Sequence, residues 1–222
     1  MNKLPLVALV GLLSFNASSF AATETDSFYK GKVGADMWWG STKLNEVRKD
    51  DSSSPSLYFA FEHKFPMLPN ASIRYTTIDS SDLAFDKYDY TFYYNVLDHD
   101  LMHFDAGITV TQYSGSKYIE PVNGGQSDFD ELTWSFYGGA EINVPKTNID
   151  FIGSMEFGDS KGIKSTDLMA GVQYRLPVVD SEVAFRGGYR VIDLDSDEVF
   201  TSDAGKSFVM VDGWFMGAEL RF

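Results

Sequence analysis

The chain ends in the stretch S-F-V-M-V-D-G-W-F-M-G-A-E-L-R-F, Ser207 to Phe222. Every second residue back from the end is Phe222, Leu220, Ala218, Met216 and Trp214. The residues between them are Arg221, Glu219, Gly217, Phe215 and Gly213. One set is apolar, and the other carries charge and glycine. Side chains of a strand point alternately to its two faces, so this stretch reads as a strand between an oily and a wet environment.

The same alternation recurs upstream, giving about ten segments long enough to cross a bilayer at a tilt. Tyr29 to Gly40 sets Val33, Ala35, Met37 and Trp39 against Lys32, Gly34 and Asp36. Ser56 to Phe65 sets Leu57, Phe59, Phe61 and His63 against Tyr58, Ala60, Glu62 and Lys64. Ala71 to Ile78 follows, and then the most regular segment, where Tyr88, Tyr90, Phe92, Tyr94 and Val96 alternate with Asp89, Thr91, Tyr93 and Asn95. Leu101 to Tyr113, Leu132 to Asn143, Ile149 to Phe157, Leu168 to Leu176 and Val183 to Val191 complete the set before the last strand.

The connections alternate too. Short turns at Pro66–Asn70, Leu97–Asp100, Pro145–Asn148 and Pro177–Asp180 take turns with longer polar stretches. Those stretches are Ser41–Pro55, Asp79–Asp86, Ser114–Asp128, Gly158–Lys164 and Asp193–Lys206. This predicts an all-β fold: a single closed antiparallel transmembrane β-barrel of about ten strands in an up-and-down meander, with both termini at the short-turn end. A water-soluble β-sandwich also alternates, but it has no need of aromatics at both ends of its strands. Here Trp39, Tyr88, Trp134, Phe157 and Tyr189 fall near one interface, and Phe65, Tyr94, Phe104, Tyr174, Phe185 and Phe222 near the other.

Met1 to Ala21 reads as a cleaved signal peptide: Lys3, an apolar run from Leu4 to Leu13, then small residues before Ala21. The run is too short to span a bilayer as a helix. Residues 22–222 form the expected barrel domain. With no cysteine there is no disulfide framework and no thiolate metal site. A net charge of −14 argues against nucleic acid as a partner.

A chain that stops on Phe222 after such a strand resembles bacterial outer-membrane β-barrel proteins. In these the final strand is read by the barrel-assembly machinery, a role that falls here on Trp214, Met216, Leu220 and Phe222. The stretches Phe61–Tyr75 (F-E-H-K-F-P-M-L-P-N-A-S-I-R-Y), Asp89–Asp98 (D-Y-T-F-Y-Y-N-V-L-D) and Val211–Phe222 resemble a family of small, functionally uncharacterised outer-membrane barrels of Gram-negative bacteria. The resemblance implies a fold and a place, the outer membrane, and brings no catalytic residue with it.

Enzymes of such barrels generally set a His beside a Ser or Asp. The three histidines, His63, His99 and His103, all fall near the short-turn end, and no nucleophile motif accompanies them. Asp193, Asp195 and Asp197 match the start of an EF-hand loop, but the sixth position is Glu198 rather than Gly and the twelfth is Ala204 rather than Glu. The expectation is no catalytic residue, no metal and no cofactor. The lumen face carries Lys32, Asp36, Glu62, Arg74, Asp89, Asp105, Glu141, Glu156, Asp167, Arg175, Arg186, Arg190 and Glu219, and with them Lys64, Asp150, Glu182 and Arg221. Both signs in quantity predict ion pairs across a largely plugged interior, because buried charges need partners. The expected role is structural or interactive in the envelope, with lipid and lipopolysaccharide as partners and a monomeric state. A narrow channel for small solutes or ions is the alternative, and an outer-leaflet lipid-modifying enzyme ranks third.

Overall fold

In the computed structural model, residues 28–44, 47–120, 124–196, 201–202, 205–206 and 208–222 are described. The expected signal segment and part of the EF-hand-like stretch lie outside them. The strands are β1 (Tyr29–Leu44), β2 (Val47–His63), β3 (Asn70–Asp79), β4 (Leu83–His99), β5 (Met102–Ile119), β6 (Gln126–Ser127), β7 (Leu132–Asn143), β8 (Ile149–Ser160), β9 (Ile163–Val178), β10 (Ser181–Asp195), β11 (Thr201–Ser202), β12 (Gly205–Lys206) and β13 (Phe208–Arg221). The ten long ones pair antiparallel with their chain neighbours, and β13 pairs with β1 from Lys32↔Arg221 to Leu44↔Val209. The sheet therefore closes on itself as an up-and-down barrel. Closure leaves no unpaired barrel edge, the condition a sheet must meet to sit in lipid.

The two faces of each strand part as the alternation demands. Leu57, Phe59 and Phe61 of β2, Phe92 and Tyr94 of β4, and Trp214 and Met216 of β13 are exposed on the outside. Their neighbours Tyr58, Ala60, Asp89, Thr91, Tyr93 and Phe215 are buried inside. An apolar exterior around a polar interior inverts the water-soluble arrangement and makes this a transmembrane barrel. Rings collect in two zones. At the end with the short turns, here the inner end, Phe28 packs on Phe65 (4.7 Å between centroids), with Tyr29, Phe61 and His63 beside them. Toward the outer end, Tyr75 meets Tyr88 at 5.0 Å and Tyr189 meets Trp214 at 5.2 Å.

The outer connections differ from expectation. Ser41–Pro55 is largely strand: β1 runs on to Leu44 and β2 starts at Val47. Asp79–Asp86 shrinks to a turn over Ser80–Asp82, and β5 continues through half of Ser114–Asp128. Gly158–Lys164 becomes a two-residue hairpin, with Lys161 at φ 55° and Gly162 at φ 71° between the paired Ser160 and Ile163. Positive φ at both central residues is what such a turn requires. β5 has 18 residues and β2 and β4 have 17, whereas about 9–11 suffice to cross. The inner turns shift slightly: Leu97–His99 ends β4, and Pro177 and Val178 end β9.

The extensions are held by a core inside the outer half of the barrel. Trp38, Leu44, Ile78, Leu83, Phe85, Tyr113, Tyr118, Phe129, Ile163, Ile192, Leu194, Val209, Val211 and Phe215 form one buried cluster. Stretches read as polar loops from composition thus contain buried apolar residues, among them Leu44, Leu83, Phe85, Tyr118 and Leu194. At roughly 25 cal/mol per Å² of apolar area, burial of so many large side chains explains why the strands continue beyond the bilayer.

Candidate functional site

Inward-facing residues of neighbouring strands bring the charges together in tiers. Beneath the apolar core, the ammonium of Lys87 lies 2.7 Å from Asp89, 3.1 Å from Glu156 and 2.9 Å from Asp167. Asp89 and Lys87 belong to β4, Glu156 to β8 and Asp167 to β9. Two strands separate β4 from β8, so these bonds cross the lumen. Arg190 of β10 grips Asp167 with two donors, at 2.9 and 2.7 Å, and donates to Thr76 of β3 at 3.1 Å. Thr111 donates to Asp89 at 2.7 Å. The carboxylate oxygens of Asp89, Glu156 and Asp167 lie within 4.8 Å of one another, a spacing that suits a metal ion. The Lys87 ammonium sits among them.

One tier further in, Arg186 meets Asp36 at 3.1 Å, donates to the Tyr58 hydroxyl at 2.6 Å and touches the Met169 sulfur at 3.3 Å. Tyr58 in turn donates to Glu219. Near the inner end, Arg221 forks onto Glu141 at 3.1 and 3.0 Å and donates to Gln173 at 3.1 Å. Asp150 accepts from Gln173 at 2.9 Å and from Arg175 at 3.0 Å. Lys32 pairs with Glu62 at 2.6 Å, and Tyr93 donates to the same carboxylate at 3.1 Å. Two-donor arginine contacts of this kind fix geometry as well as charge.

Twelve of the thirteen core lumen charges named from sequence have charged or hydrogen-bonding partners in these tiers or beside them. For Asp105 the partner is Asn95, at 2.6 Å. Arg74 stands apart: its nearest contacts are the Met169 sulfur at 3.9 Å and the Tyr58 ring at 5.0 Å. Lys64 is exposed beyond the end of β2, outside the lumen. Sequence reasoning missed Lys87, because the fourth segment was started at Tyr88. Counting by twos from Asp89 back through Lys87, Phe85 and Leu83 would have found both the lysine and the apolar core.

Below the Lys87 tier an internal cavity of about 850 Å³ reaches the inner end, where Lys30, His103 and Asp180 line it. His103 also pairs with Asp98 at 2.6 Å, with both side chains well exposed. Trp214, Met216, Leu220 and Phe222 all point outward from β13 or its end, and Phe222 exchanges backbone hydrogen bonds with Gly31 at 2.7 and 2.9 Å. On the outer wall a groove of about 470 Å³ lies between Trp39, Trp214 and Tyr189. There Asp212 is met by Lys43 at 3.2 Å, Arg48 at 3.7 Å and the Tyr189 hydroxyl.

No family model matches the sequence, and no curated protein matches it. Among solved structures, the outer membrane protease OmpT from Escherichia coli is similar at 13% identity, covering 90% of this chain and 99% of that one, with a TM-score of 0.45. The β domain of the Bordetella autotransporter BrkA gives 13% identity, coverages of 87% and 98%, and a TM-score of 0.44. Ail of Yersinia pestis gives 9%, 88% and 100%, with a TM-score of 0.28. Likenesses this distant carry no argument about activity.

Proposed function

We propose that the chain is a non-conducting, non-enzymatic barrel of the bacterial outer membrane with a structural or interactive role in the envelope. The observation that carries this reading is the closed lumen: the Lys87 tier ties opposite walls together, and the apolar core fills the barrel above it. Eight strands make an interior that side chains just fill and about sixteen leave an aqueous channel, so ten fall near the filled end. The narrow-channel reading draws on the inner cavity, but ions entering there would have to part a buried cluster of opposite charges. The enzyme reading has less support, since His103 sits at the inner rim with Asp98 and no nucleophile stands beside it in the described residues.

The partner most in keeping with this role is the phosphorylated lipid of the outer leaflet. Lys43 and Arg48 flank Asp212 at a groove edged by Trp39, Trp214 and Tyr189, which Asp51 also lines. The two cations can reach lipid phosphates at headgroup height, where indole and phenol rings also prefer to sit. Trp214, Met216, Leu220 and Phe222 would present the strand that the assembly machinery reads, and the chain would work as a monomer.

The test is made in cells lacking the gene, by their permeability to large apolar antibiotics and to detergent. Loss should raise permeability, and the wild-type protein should restore the barrier. The Lys43→Gln, Arg48→Gln double variant should restore it less well at equal barrel levels. Unchanged permeability on loss, or full restoration by the double variant, would contradict the proposal.

A further inference from the structure

Inside the wall of the inner cavity, one cation has no carboxylate at ion-pair distance among the described residues. Of the other basic side chains lining it, Lys30 is exposed at the rim, and Lys32, Arg186, Arg190 and Arg221 each have a carboxylate within ion-pair distance. Arg74, on β3 opposite Tyr58 and Asp89, has none among the described residues. Its guanidinium lies 3.9 Å from a thioether and 5.0 Å from the centre of a phenol ring. Sulfur is a weak acceptor, and a guanidinium has five donors to place. A half-buried charge held this way is underserved, since removal from bulk water is costly unless hydrogen bonds replace the lost hydration.

The surroundings of Arg74 define what would complete it. The cavity wall near it is built from Tyr58, Tyr93, Tyr137 and Met169. Tyr93 stacks obliquely on Tyr137 with ring centroids 5.8 Å apart. The Tyr137 hydroxyl makes no hydrogen bond among the described residues and is free to donate. An arginine fork with a neighbouring phenol matches a planar carboxylate, and the rings and thioether match an apolar or aromatic body. The volume of about 850 Å³ lies within the usual range for small-ligand pockets, roughly 300–1,000 Å³.

Charge sets the valence. Six basic side chains and eight carboxylates line the cavity, so the wall is acidic overall, and away from the exposed Lys30 at the rim Arg74 is the lining cation with no carboxylate at ion-pair distance among the described residues. A singly charged anion can be neutralised there; a multiply charged phosphate would face the remaining carboxylates. Entry is from the inner end, because the Lys87 tier closes the other side.

We propose that the cavity is a binding site for a small organic monoanion, a carboxylate with an aromatic or aliphatic body, anchored on Arg74 and entered from the periplasmic side. The direct test is calorimetric titration of the refolded mature protein in lipid nanodiscs with benzoate, its neutral isostere benzamide, and phenyl phosphate. Benzoate should bind saturably, benzamide at least tenfold more weakly, and phenyl phosphate more weakly than benzoate. Arg74→Gln should cost benzoate tenfold or more, and Arg74→Lys, which keeps charge but loses the fork, should fall between. If Arg74→Gln fails to give the folded, heat-modifiable band on a gel, the wild-type Arg74 Nε–H resonance decides instead, and it should shift on adding benzoate. Absence of saturable benzoate binding, equal affinity in a folded Arg74→Gln variant, or an unmoved Arg74 resonance would overturn the proposal. Tighter binding of phenyl phosphate than of benzoate would overturn the assigned ligand class.

Discussion

Lys87 shows how much can rest on one side chain. Its ammonium balances Asp89, Glu156 and Asp167, and Arg190 completes the cluster by holding Asp167 from the far wall. Breaking a buried ion pair by removing one partner costs about 3–5 kcal/mol, because the remaining charge stays buried. Lys87→Met should therefore lower stability by at least about 3 kcal/mol, read as a shift of the urea midpoint in detergent with the slope unchanged. A loss below about 1 kcal/mol would mean that water already screens the cluster. Gly213 is critical for a different reason: a Cβ there would lie 1.8 Å from the Trp39 carbonyl oxygen across the β13–β1 seam. The same glycine's carbonyl accepts from the Trp38 indole at 3.1 Å. Gly213→Ala should weaken closure and lower the temperature at which the folded band is lost on a gel; an unchanged temperature would show that the seam gives way easily.

Among the elements, the outer extensions are where sequence and structure part. The bilayer-crossing halves were legible because lipid on one side and charge on the other impose a strict period of two. In β4 the run from Tyr88 to Val96 shows this unaided. The outer halves obey the same period with the contrast reversed: Leu83, Phe85 and Leu194 are buried inside, and the aspartates beside them, Asp82, Asp86, Asp193 and Asp195, are only partly buried. Where composition is rich in Asp, Ser and Lys, that reversal looks like loop. The Ser114–Asp128 region folds back in the same way, with Phe129 buried and Asp130 accepting from the Ser116 backbone N–H at 2.7 Å. Hydrogen bonds from Ser116, the hydroxyl above all, hold the Asp130 carboxyl below its ordinary value. A lowered pKa means stabilisation that is present above the unfolded value, about 3.9, and lost as pH falls through the folded one. The Ser116 amide resonance should titrate with a midpoint below that of an unperturbed aspartate, and Asp130→Asn should abolish the transition. A midpoint at or above the ordinary value would contradict the contact.

At the scale of the molecule, the barrel is asymmetric along its axis: packed with apolar side chains inside its outer half, charged at its middle, hollow toward its inner end. The polar interior was foreseeable from which residues share a face. Which charges meet across the lumen was not, since strand order places β4 near β8 and β9 only once the sheet closes. Likewise, no local pattern marks Arg74 as a lumen cation without a carboxylate at ion-pair distance, because that depends on how the other charges have been used.

The measurement that bears most directly on the closed lumen is single-channel recording of the refolded mature protein in a planar bilayer, across several salts. Protein shown by its gel mobility to be folded should give no stable conductance steps in any of them. Reproducible, ion-selective openings from the wild-type barrel would contradict the account, for they would require a continuous water path through the Lys87 tier and the apolar core above it.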